Sequence, residues 1–512
     1  MVNKSLLEAC RTALQRHPPL LTEGGTLRIQ TLFSRPRLLR SLFPLAHIHA
    51  SDPSLSPEAS VPVWQEHVVV TAAWTAKDTE EKLIYAMELY VYTLPQQEAA
   101  LVYVSKLDTT GYGPRPLPST VREHLPDEQR HIPTLTTILT STCIDHFASR
   151  AHWDASTPVS HVSVHVLARA QGAYLFPSSP NCAQKRVLSD SALIRWWRAC
   201  LSDVVLRRRN ARDTRVDAHY LIPGYQRLDS HAIVPLTSSA THPEVAKAQW
   251  KYGHPYSERG ASVSSKDELP PLPLHAQKWE TRFENMPHTD ALDQRVIPTL
   301  LPVFPDDPKG RFFNELCGTA YEPGSLFTVT STTVKPSLAH RGAMAERHAL
   351  EKLSIDGFWE RMGFRQECCS GNAVGVFVVG CTATSSSAST SSPSNNAPTA
   401  QTYALPHPIL EETVLKYMLQ DACVWSDDTE AIKLTRQWNQ AIEKVLQRKG
   451  GAKPESQSLV GQDVVWTTIS LERVPSDVVD AASVRAQQAV PAARGEEAPA
   501  VRVLAVKRRK RS

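Results

Sequence analysis

The sequence predicts an α/β protein of the α+β type, built on a central mixed β-sheet that is surrounded by helices. Two observations indicate this fold class: strand-like and helix-like segments are mixed along the chain, and neither a βαβ period nor an internal repeat is present. Hydrophobic residues make up 41% and charged residues 21% of the 512 positions, which is enough apolar material for a large core. We expect one domain over residues 1–475 and a disordered tail over residues 476–512.

Four segments are predicted to be strands because β-branched and aromatic residues dominate them, in part with alternating polarity. They are residues 67–75, 83–94, 99–104 and 161–167. Only the short polar connection Pro-Gln-Gln-Glu separates the second from the third, which favours an antiparallel hairpin.

Three segments are predicted to be amphipathic helices, over residues 191–206, 409–420 and 429–446. In the first, large apolar residues recur at helical spacing, and Ser189 or Asp190 is the expected N-cap. The third is preceded by acidic residues, which favour the positive end of a helix dipole.

Two further segments are expected to lie outside the core. Residues 383–402 are of low complexity and too poor in bulky apolar side chains to offset the entropy of ordering, so we predict a disordered insertion. Residues 507–511 read Lys-Arg-Arg-Lys-Arg, which we interpret as a nuclear localisation signal. A solvated tail, or a weak contact with DNA or a histone complex, stays open as the alternative.

Composition argues against several classes of protein. A net charge of +4 is too small to define a nucleic-acid binder. Nine cysteines without a CxxC pair fit a reduced intracellular chain better than a zinc protein or a disulfide scaffold. The N-terminus lacks the apolar stretch of a signal peptide, and the longest apolar run, residues 373–381, is far shorter than the ~20 residues of a membrane span.

The segment 300–313, LLPVFPDDPKGRFF, contains the first candidate for chemistry. Asp307 followed by Pro308 is typical of a helix start, with Asp at the N-cap and Pro at the first helical position. Simple capping is one interpretation, and a carboxylate pair of Asp306 and Asp307 at the rim of a cleft is the other. Repulsion within the pair raises one pKa whereas cap bonds lower it, so the sequence does not decide which aspartate would act as a base.

The segment 103–113, YVSKLDTTGYG, follows a strand directly and turns through Asp108, Thr109 and Gly111. Such residues are ordinary at a strand exit, which is the simpler interpretation. The alternative is that backbone N–H groups at this turn face the acyl or pantetheine part of a cofactor.

The segment 166–197 runs from a strand through Tyr174 and a polar loop into a helix with two adjacent tryptophans, Trp196 and Trp197. Periodicity places the tryptophans in the core, although one of them must point away from the central apolar line of the helix. In the functional interpretation, this pair and Tyr174 form the wall of a narrow channel for a lysine side chain.

These segments resemble the fungal-specific histone acetyltransferases that modify lysine fifty-six of histone H3. Six matching strings occur in the same order over about 290 residues: MELYVYTL, YVSKLDTTGYG, YLFPSS with LIRWW, LIPGY, LLPVFPDDPKGRF and FWERMGFRQECCSG. The resemblance implies a fold similar to that of CBP-type acetyltransferases, so that residues 1–475 would be the histone acetyltransferase domain.

The resemblance also implies an activity, which is transfer of acetyl from acetyl-CoA, without a metal, to lysine fifty-six and N-terminal tail lysines of histone H3. The substrate would be H3–H4 presented by histone chaperones of the anti-silencing-factor type and the NAP family. The protein would act in the nucleus, in replication-coupled nucleosome assembly and the DNA damage response. Contact with DNA would be weak or indirect, and no membrane would be involved.

Residue by residue, the resemblance assigns proton transfer to Asp307 with Asp306 beside it, and importance for activity to Asp108, Tyr174 and Trp197. Lys309 matches a buried lysine that the family acetylates on itself. The implied acetyl-CoA-binding residues are Leu107, Asp108, Thr109, Pro116, Leu117, Pro118, Ser119, Thr120, Leu167, Gln171, Arg186, Val187, Leu188 and Trp196.

Two other functions are consistent with the same fold. One is a catalytically weak scaffold that binds histones or DNA, and the other is an acetyltransferase for a non-histone protein. Loss of the Asp-Asp pair, the double tryptophan or the turn aspartate would indicate the scaffold, and all three features are present. The sequence therefore favours the enzyme.

Overall fold

The computed structural model describes residues 5–39, 42, 63–153, 159–211, 213–234, 243–255, 301–305, 307–310, 312, 355–363, 372–384, 398–401, 403–450 and 464–488. The strands in these ranges are β1 (Gly25–Phe33), β2 (Arg37–Leu39), β3 (Val63–Ala76), β4 (Lys82–Leu94), β5 (Ala99–Thr109), β6 (His161–Arg169), β7 (Thr214–Leu221), β8 (Lys251–Tyr252), β9 (Val374–Ala383) and β10 (Trp466–Leu471).

The helices in the same ranges are α1 (Leu6–Arg16), α2 (Ser119–Arg122), α3 (Asp127–Arg130), α4 (Leu135–Ala148), α5 (Asp190–Asn210), α6 (Arg227–Ile233), α7 (Pro243–Lys247), α8 (Ile355–Gly363), α9 (His407–Val414), α10 (Asp428–Gly450) and α11 (Ser476–Gln488). Among them, none combines the length and the hydropathy that a bilayer-spanning helix requires.

The strands form one mixed sheet in the order β10-β1-β3-β4-β5-β6-β9-β7-β8, with β2 paired to β3. The pairs β5–β6 and β7–β8 are parallel, and the others are antiparallel. This sheet and the helices against it confirm the predicted fold class. The four predicted strands are β3 to β6, and the predicted hairpin is β4–β5, closed by a 3-10 turn at Pro95–Gln97.

One face of the sheet packs against α1, α4 and α5, and we call it the α5 face. α5 contributes Ile194, Trp197 and Leu201 to this core at the three- and four-residue spacing of an amphipathic helix. The Ser189 hydroxyl caps the helix by accepting the Ala192 N–H at 3.4 Å. The predicted helix and its cap are therefore confirmed.

The opposite face packs against α9 and α10, and we call it the α10 face. Trp425 and Trp438 are fully buried there, and the Trp438 indole donates to Gln30 Oε1 of β1 at 2.8 Å. The Glu430 N–H donates to the Asp427 carboxylate at 2.9 Å, so the predicted acidic start of α10 is confirmed. The predicted helix over 409–420 is α9 followed by a π-helical turn at Leu415–Leu419.

A β-bulge in β5 decides which side chains share the α10 face. Glu88 of β4 pairs with Lys106, but the next residue pairs with Val104, so no residue of β4 lies opposite Ser105 in the ladder. The Ser105 hydroxyl still donates to Glu88 Oε2 at 3.1 Å. An extra residue in one strand reverses the alternation of side chains beyond it. Tyr103 and Asp108, five residues apart, therefore both lie on the α10 face.

Several elements were not predicted from the sequence, namely β1, β2, β7, β8, β9, β10, α1 to α4, α6 to α8 and α11. β9 lies between β6 and β7, where both faces of the sheet are covered, so its residues form a continuous apolar run without alternation. α4 is buried on several sides, including Thr140, Ser141 and Thr142, and so lacks the polar face by which a surface helix is recognised.

The predicted start of disorder at residue 476 is wrong for residues 476–488, because these residues form α11. Ala482 of α11 is buried in an apolar cluster with Leu117 and Leu125. The short apolar residues of α11 showed no clear helical period in the sequence. Residues 489–512, with the basic cluster, and residues 385–397 of the predicted insertion lie outside the described residues.

Two truncations test whether the folded domain extends through α11 to residue 488. Truncation after Pro475 removes α11 and exposes the apolar cluster around Leu117, so we expect the Tm to fall by at least about 2 °C. Truncation after Gln488 serves as the control and is expected to leave the Tm unchanged. Differential scanning calorimetry measures both, and equal Tm values for the two truncated chains would contradict a structural role for α11.

Candidate active site

Asp108 lies at the end of β5 and accepts five hydrogen bonds. Its Oδ2 atom accepts the backbone N–H groups of Tyr174, Leu175 and Phe176 at 2.7, 3.0 and 3.1 Å. Its Oδ1 atom accepts the Thr109 N–H at 2.8 Å and the Lys185 ammonium at 2.7 Å. The carboxylate therefore holds the loop after β6 against the end of β5.

Tyr174 is placed by this contact beside Asp108 and Arg169. Burial raises the pKa of its phenol, with the Arg169 charge opposing and the Asp108 charge adding to that shift. The phenol therefore stays protonated at neutral pH, so it can donate a hydrogen bond or form an apolar wall but cannot act as a base.

Asp307 confirms the predicted cap, since its Oδ1 atom accepts the Lys309 N–H at 3.0 Å. Its side chain is only 1% exposed and forms an ion pair with the Lys309 ammonium, which lies 5.1 Å from the centre of the Phe304 ring. Capping and a charged buried site are thus both present at this residue. Asp306, its predicted partner, lies outside the described residues.

Two histidines border the Asp307–Lys309 pair. Burial and the Lys309 charge lower the pKa of His165 to about 3. The pKa of His254 is lowered well below its usual value by burial and by the charges of His165, His219 and Lys309. Both rings are neutral at physiological pH, so Lys309 is the cation of this group.

The Asp307 group is joined to β5 through aromatic contacts. The Phe304 ring stacks on Tyr103, with ring centres 4.3 Å apart, and lies 5.3 Å from His165. Tyr103 and Asp108 share the α10 face, separated by a distance on the order of 15 Å along the strand. Asp307 and Asp108 therefore lie at two ends of one surface rather than in contact.

A third ion pair lies between these ends. The Glu88 carboxylate accepts from Lys106 at 2.8 Å and from the His67 ring at 2.8 Å. Burial alone would raise the Glu88 pKa, but the bonds and charges of His67 and Lys106 lower it to about 2. Sequence reasoning missed this pair, although a charged residue inside a buried strand pattern such as MELYVYTL is a usable signal.

The two tryptophans point in different directions, as predicted. Trp197 is 5% exposed and belongs to the core of the α5 face, whereas Trp196 is half-buried and donates to Thr137 Oγ1 at 3.2 Å. Within the described residues, no hydrogen bond, ion pair or ring contact joins Trp197 to Asp108 or Asp307. A channel formed by Trp197 and Tyr174 therefore stays a prediction.

The predicted acetyl-CoA residues divide by exposure. Gln171, Arg186 and Val187 are exposed, and the rest of the set near them, Leu107, Thr109, Leu167 and Leu188, is half-buried. Arg186 has no ion-pair partner among the described residues, and 47% of the adjacent Val187 is exposed. The set also includes four exposed residues, Pro116, Pro118, Ser119 and Thr120. Leu117 differs from them, because it is only 4% exposed in the apolar cluster with Leu125 and Ala482, and its N–H donates to the Leu20 carbonyl. Leu117 therefore contributes to the core rather than to a ligand surface.

The arginine run at the end of α5 is a structural feature in this fold. Arg207 and Arg208 pair with Asp203 and Asp145, and Arg209 donates to backbone carbonyls. These contacts account for the three guanidinium groups within the fold.

Comparisons with known proteins complete the description of the site. The sequence pattern described as histone acetyltransferase KAT11-type domain matches residues 134–460. A histone acetyltransferase rtt109 of Aspergillus flavus is 25% identical over 372 residues, which are 70% of this chain and 54% of that protein. One of Schizosaccharomyces pombe is 24% identical over 307 residues, which are 59% of this chain and 58% of that protein. The chain thus matches just over half the length of these relatives.

The fold is similar to that of a solved structure. The crystal structure of Rtt109 from Aspergillus fumigatus matches with a TM-score of 0.54 at 18% identity, covering 92% of this chain and 99% of that chain. Because the family pattern covers well over half of the sequence, the chain belongs to the KAT11-type histone acetyltransferase family.

The buried histidines on the α10 face predict how stability depends on pH. Burial lowers the pKa of His161 and His219 to about 4, and His165 titrates lower still. The unfolded chain binds these protons below its usual pKa of about 6.5, whereas the folded chain does not. The free energy of unfolding should therefore fall as the pH drops from about 6.5 to about 4, by up to about 1.4 kcal/mol per pH unit for each histidine.

Urea unfolding at several pH values tests this expectation. His165→Phe should reduce the slope between pH 4 and 6 by about one proton, because the variant has no titrating ring there. His17→Gln, at an exposed position, is the control and should keep the wild-type slope. A His165→Phe protein with the wild-type slope would show that this ring is not held neutral.

Proposed function

We propose that this protein transfers acetyl from acetyl-CoA to lysines of histone H3, with lysine fifty-six as the main target and tail lysines as further targets. The observation that carries the proposal is the convergence of the family-like motifs at Asp108. This carboxylate joins the end of β5, the Tyr174 loop and Lys185, directly before the exposed Arg186 and Val187. Membership of the KAT11-type family supports the same reaction.

The surface beside Asp108 suits the chemistry of acetyl-CoA. The cofactor combines phosphates with an apolar pantetheine chain. Arg186, which has no ion-pair partner within the part of the chain that the structure describes, lies next to the exposed apolar side chain of Val187. Thr109, Leu167, Gln171 and Leu188 would complete the contact. The exposed residues Pro116 and Pro118, and Ser119 and Thr120 at the start of α2, are the remaining members of the proposed set.

The reaction needs a neutral amine, and a free lysine with a pKa near 10.4 is only about one part in a thousand neutral at pH 7.4. The lysine nitrogen attacks the thioester carbonyl carbon, the carbon–sulfur bond breaks, and the amide and free CoA thiol form. The amine proton passes to a base, for which we propose Asp307 or Asp306. Trp197 and Tyr174 would line the path of the lysine.

The Lys309 ion pair limits when Asp307 can accept a proton from the substrate. While Lys309 is charged, its ammonium and two backbone N–H groups occupy the Asp307 carboxylate. Acetylation of Lys309 turns the ammonium into a neutral amide and frees the carboxylate for the substrate amine. We propose that this self-acetylation occurs, which agrees with the burial of Lys309 beside the site.

The resemblance to acetyltransferases that modify histone H3 supports a proposal for the partners and the cellular setting. We propose that chaperones of the anti-silencing-factor type and the NAP family present H3–H4 to the enzyme in the nucleus. The reaction would serve replication-coupled nucleosome assembly and the response to DNA damage. DNA itself would be contacted weakly or indirectly.

Incubation with isotope-labelled acetyl-CoA and H3–H4, with and without chaperone, tests the function. Mass spectrometry should find label on lysine fifty-six of H3 and on Lys309 of the enzyme. Label on another protein alone would indicate the non-histone acetyltransferase. Histone binding without any transfer would indicate the scaffold, and either result contradicts the proposal.

Asparagine substitutions at the two aspartates test the proposed base. If a carboxylate removes the proton, Asp307→Asn or Asp306→Asn should lower kcat by about 10²- to 10⁴-fold and remove the acidic limb of the rate–pH profile. Steady-state rates between pH 6 and 9 measure this. Wild-type rates and profiles for both variants would exclude the carboxylates from proton transfer.

A further inference from the structure

Lys185 supplies the cation that pairs with Asp108, and neither the sequence nor the family resemblance assigned it to the site. Its side chain is 5% exposed, and its ammonium donates to Asp108 Oδ1 at 2.7 Å and to Ser179 Oγ at 2.6 Å. Ser179 Oγ in turn donates to the Phe176 carbonyl at 2.6 Å. Lys185 thus links Asp108 to Ser179, and through Ser179 to Phe176 at the end of the loop that Asp108 holds.

Burying two charges costs free energy because both lose hydration. Removing only one partner destabilises the fold further, because the other charge then stays buried without a counter-charge. With the ammonium gone, the Asp108 carboxylate would keep four backbone N–H donors but lose its counter-charge. The carboxylate would gain solvation only if the loop over it, Tyr174–Phe176, moved outward. The ion pair therefore favours the position in which this loop covers Asp108.

The backbone of Lys185 is a second fixed point. Gly111 has φ +100°, and a Cβ built on it would lie 2.7 Å from the Lys185 nitrogen. Only glycine allows the turn after β5 to pack this closely on Lys185. The Lys185 N–H also donates to the Cys182 carbonyl at 3.0 Å. The turn after β5 and the segment leading to Arg186 therefore meet at one residue.

We propose that Lys185 is a positioning residue of the acetyl-transfer site, which fixes the Tyr174 loop and the acetyl-CoA segment 186–188 through Asp108. The inference rests on the proposed function, since it names how one part of that site is held. Lys185 acts through its ion pair with Asp108 and through the packing of its backbone against Gly111. At 5% exposure, its side chain offers little surface to a ligand.

The experiment compares three full-length variants. Lys185→Met removes the charge at similar length, Lys185→Arg keeps it, and Lys82→Met is the control. Lys82 also forms an ion pair, with Asp428, and its ammonium lies 5.0 Å from the Tyr112 ring of the same turn, but it has no link to Asp108. Acetyl-CoA affinity is measured by calorimetry, and kcat and both KM values are measured well below each Tm.

We expect Lys185→Met to raise the Kd and KM for acetyl-CoA by about tenfold or more, and to leave the KM for H3–H4 within about twofold. Lys185→Arg should recover most of the affinity, and Lys82→Met should match the wild type. A purely structural role would instead lower the Tm and the active fraction without a selective change in acetyl-CoA affinity. Wild-type Kd and kcat in a folded Lys185→Met protein would overturn the inference.

A double variant covers the case in which Lys185→Met does not fold. Asp108→Asn with Lys185→Met removes both charges and should fold, because it leaves no unpaired buried charge. Acetyl-CoA binding as weak as in Asp108→Asn alone supports action of Lys185 through Asp108, and wild-type binding overturns the inference. If the wild-type chain itself neither binds acetyl-CoA nor acetylates H3–H4, the proposed function is wrong. If the wild-type chain does both and the Lys185 variants bind acetyl-CoA equally well, only the inference about Lys185 is wrong.

Discussion

The bulge at Ser105 is the constraint on which the site depends. Upstream of it, Tyr103 lies on the α10 face and stacks on Phe304. The Phe304 ring in turn contacts Lys309, which pairs with Asp307. Downstream of it, Asp108 faces the same side only because no residue of β4 lies opposite Ser105 in the ladder. In an unbroken ladder Asp108 would point into the core of the α5 face, where a charged carboxylate has no partners.

Three buried carboxylates lie along this surface, and each is paired with a lysine: Asp108 with Lys185, Glu88 with Lys106, and Asp307 with Lys309. Apolar residues of similar volume would usually stabilise a fold as well as or better than buried ion pairs. Charges arranged in this way are therefore explained better by chemistry at the surface than by stability. Pairing also keeps the surface close to neutral, so an incoming lysine meets dipoles and ion pairs rather than a strong net field.

Local sequence patterns made part of the fold and of the site predictable. The Asp307 cap, the Ser189 cap and the β4–β5 hairpin follow from residues within a few positions of each other, and the sequence indicated all three. Contacts between distant segments were not predictable in that way. Lys185 reaches Asp108 across 77 positions, and Glu88 meets His67 and Lys106 only once three strands are in register. The bulge left no mark in the sequence, since Ser105 fits an ordinary strand equally well.

The two aspartates that the sequence treated alike have different chemical capacities. Asp108 accepts five hydrogen bonds from groups that the fold holds in place, so a substrate proton has no free lone pair to approach without displacing the loop. Its effect on a reaction must therefore come through position. Asp307 accepts two backbone N–H groups and one side-chain cation, the Lys309 ammonium, and acetylation of that amine is the very reaction proposed for the site. Chemistry can thus release Asp307 while leaving Asp108 fixed, which makes Asp307 the better candidate for proton transfer.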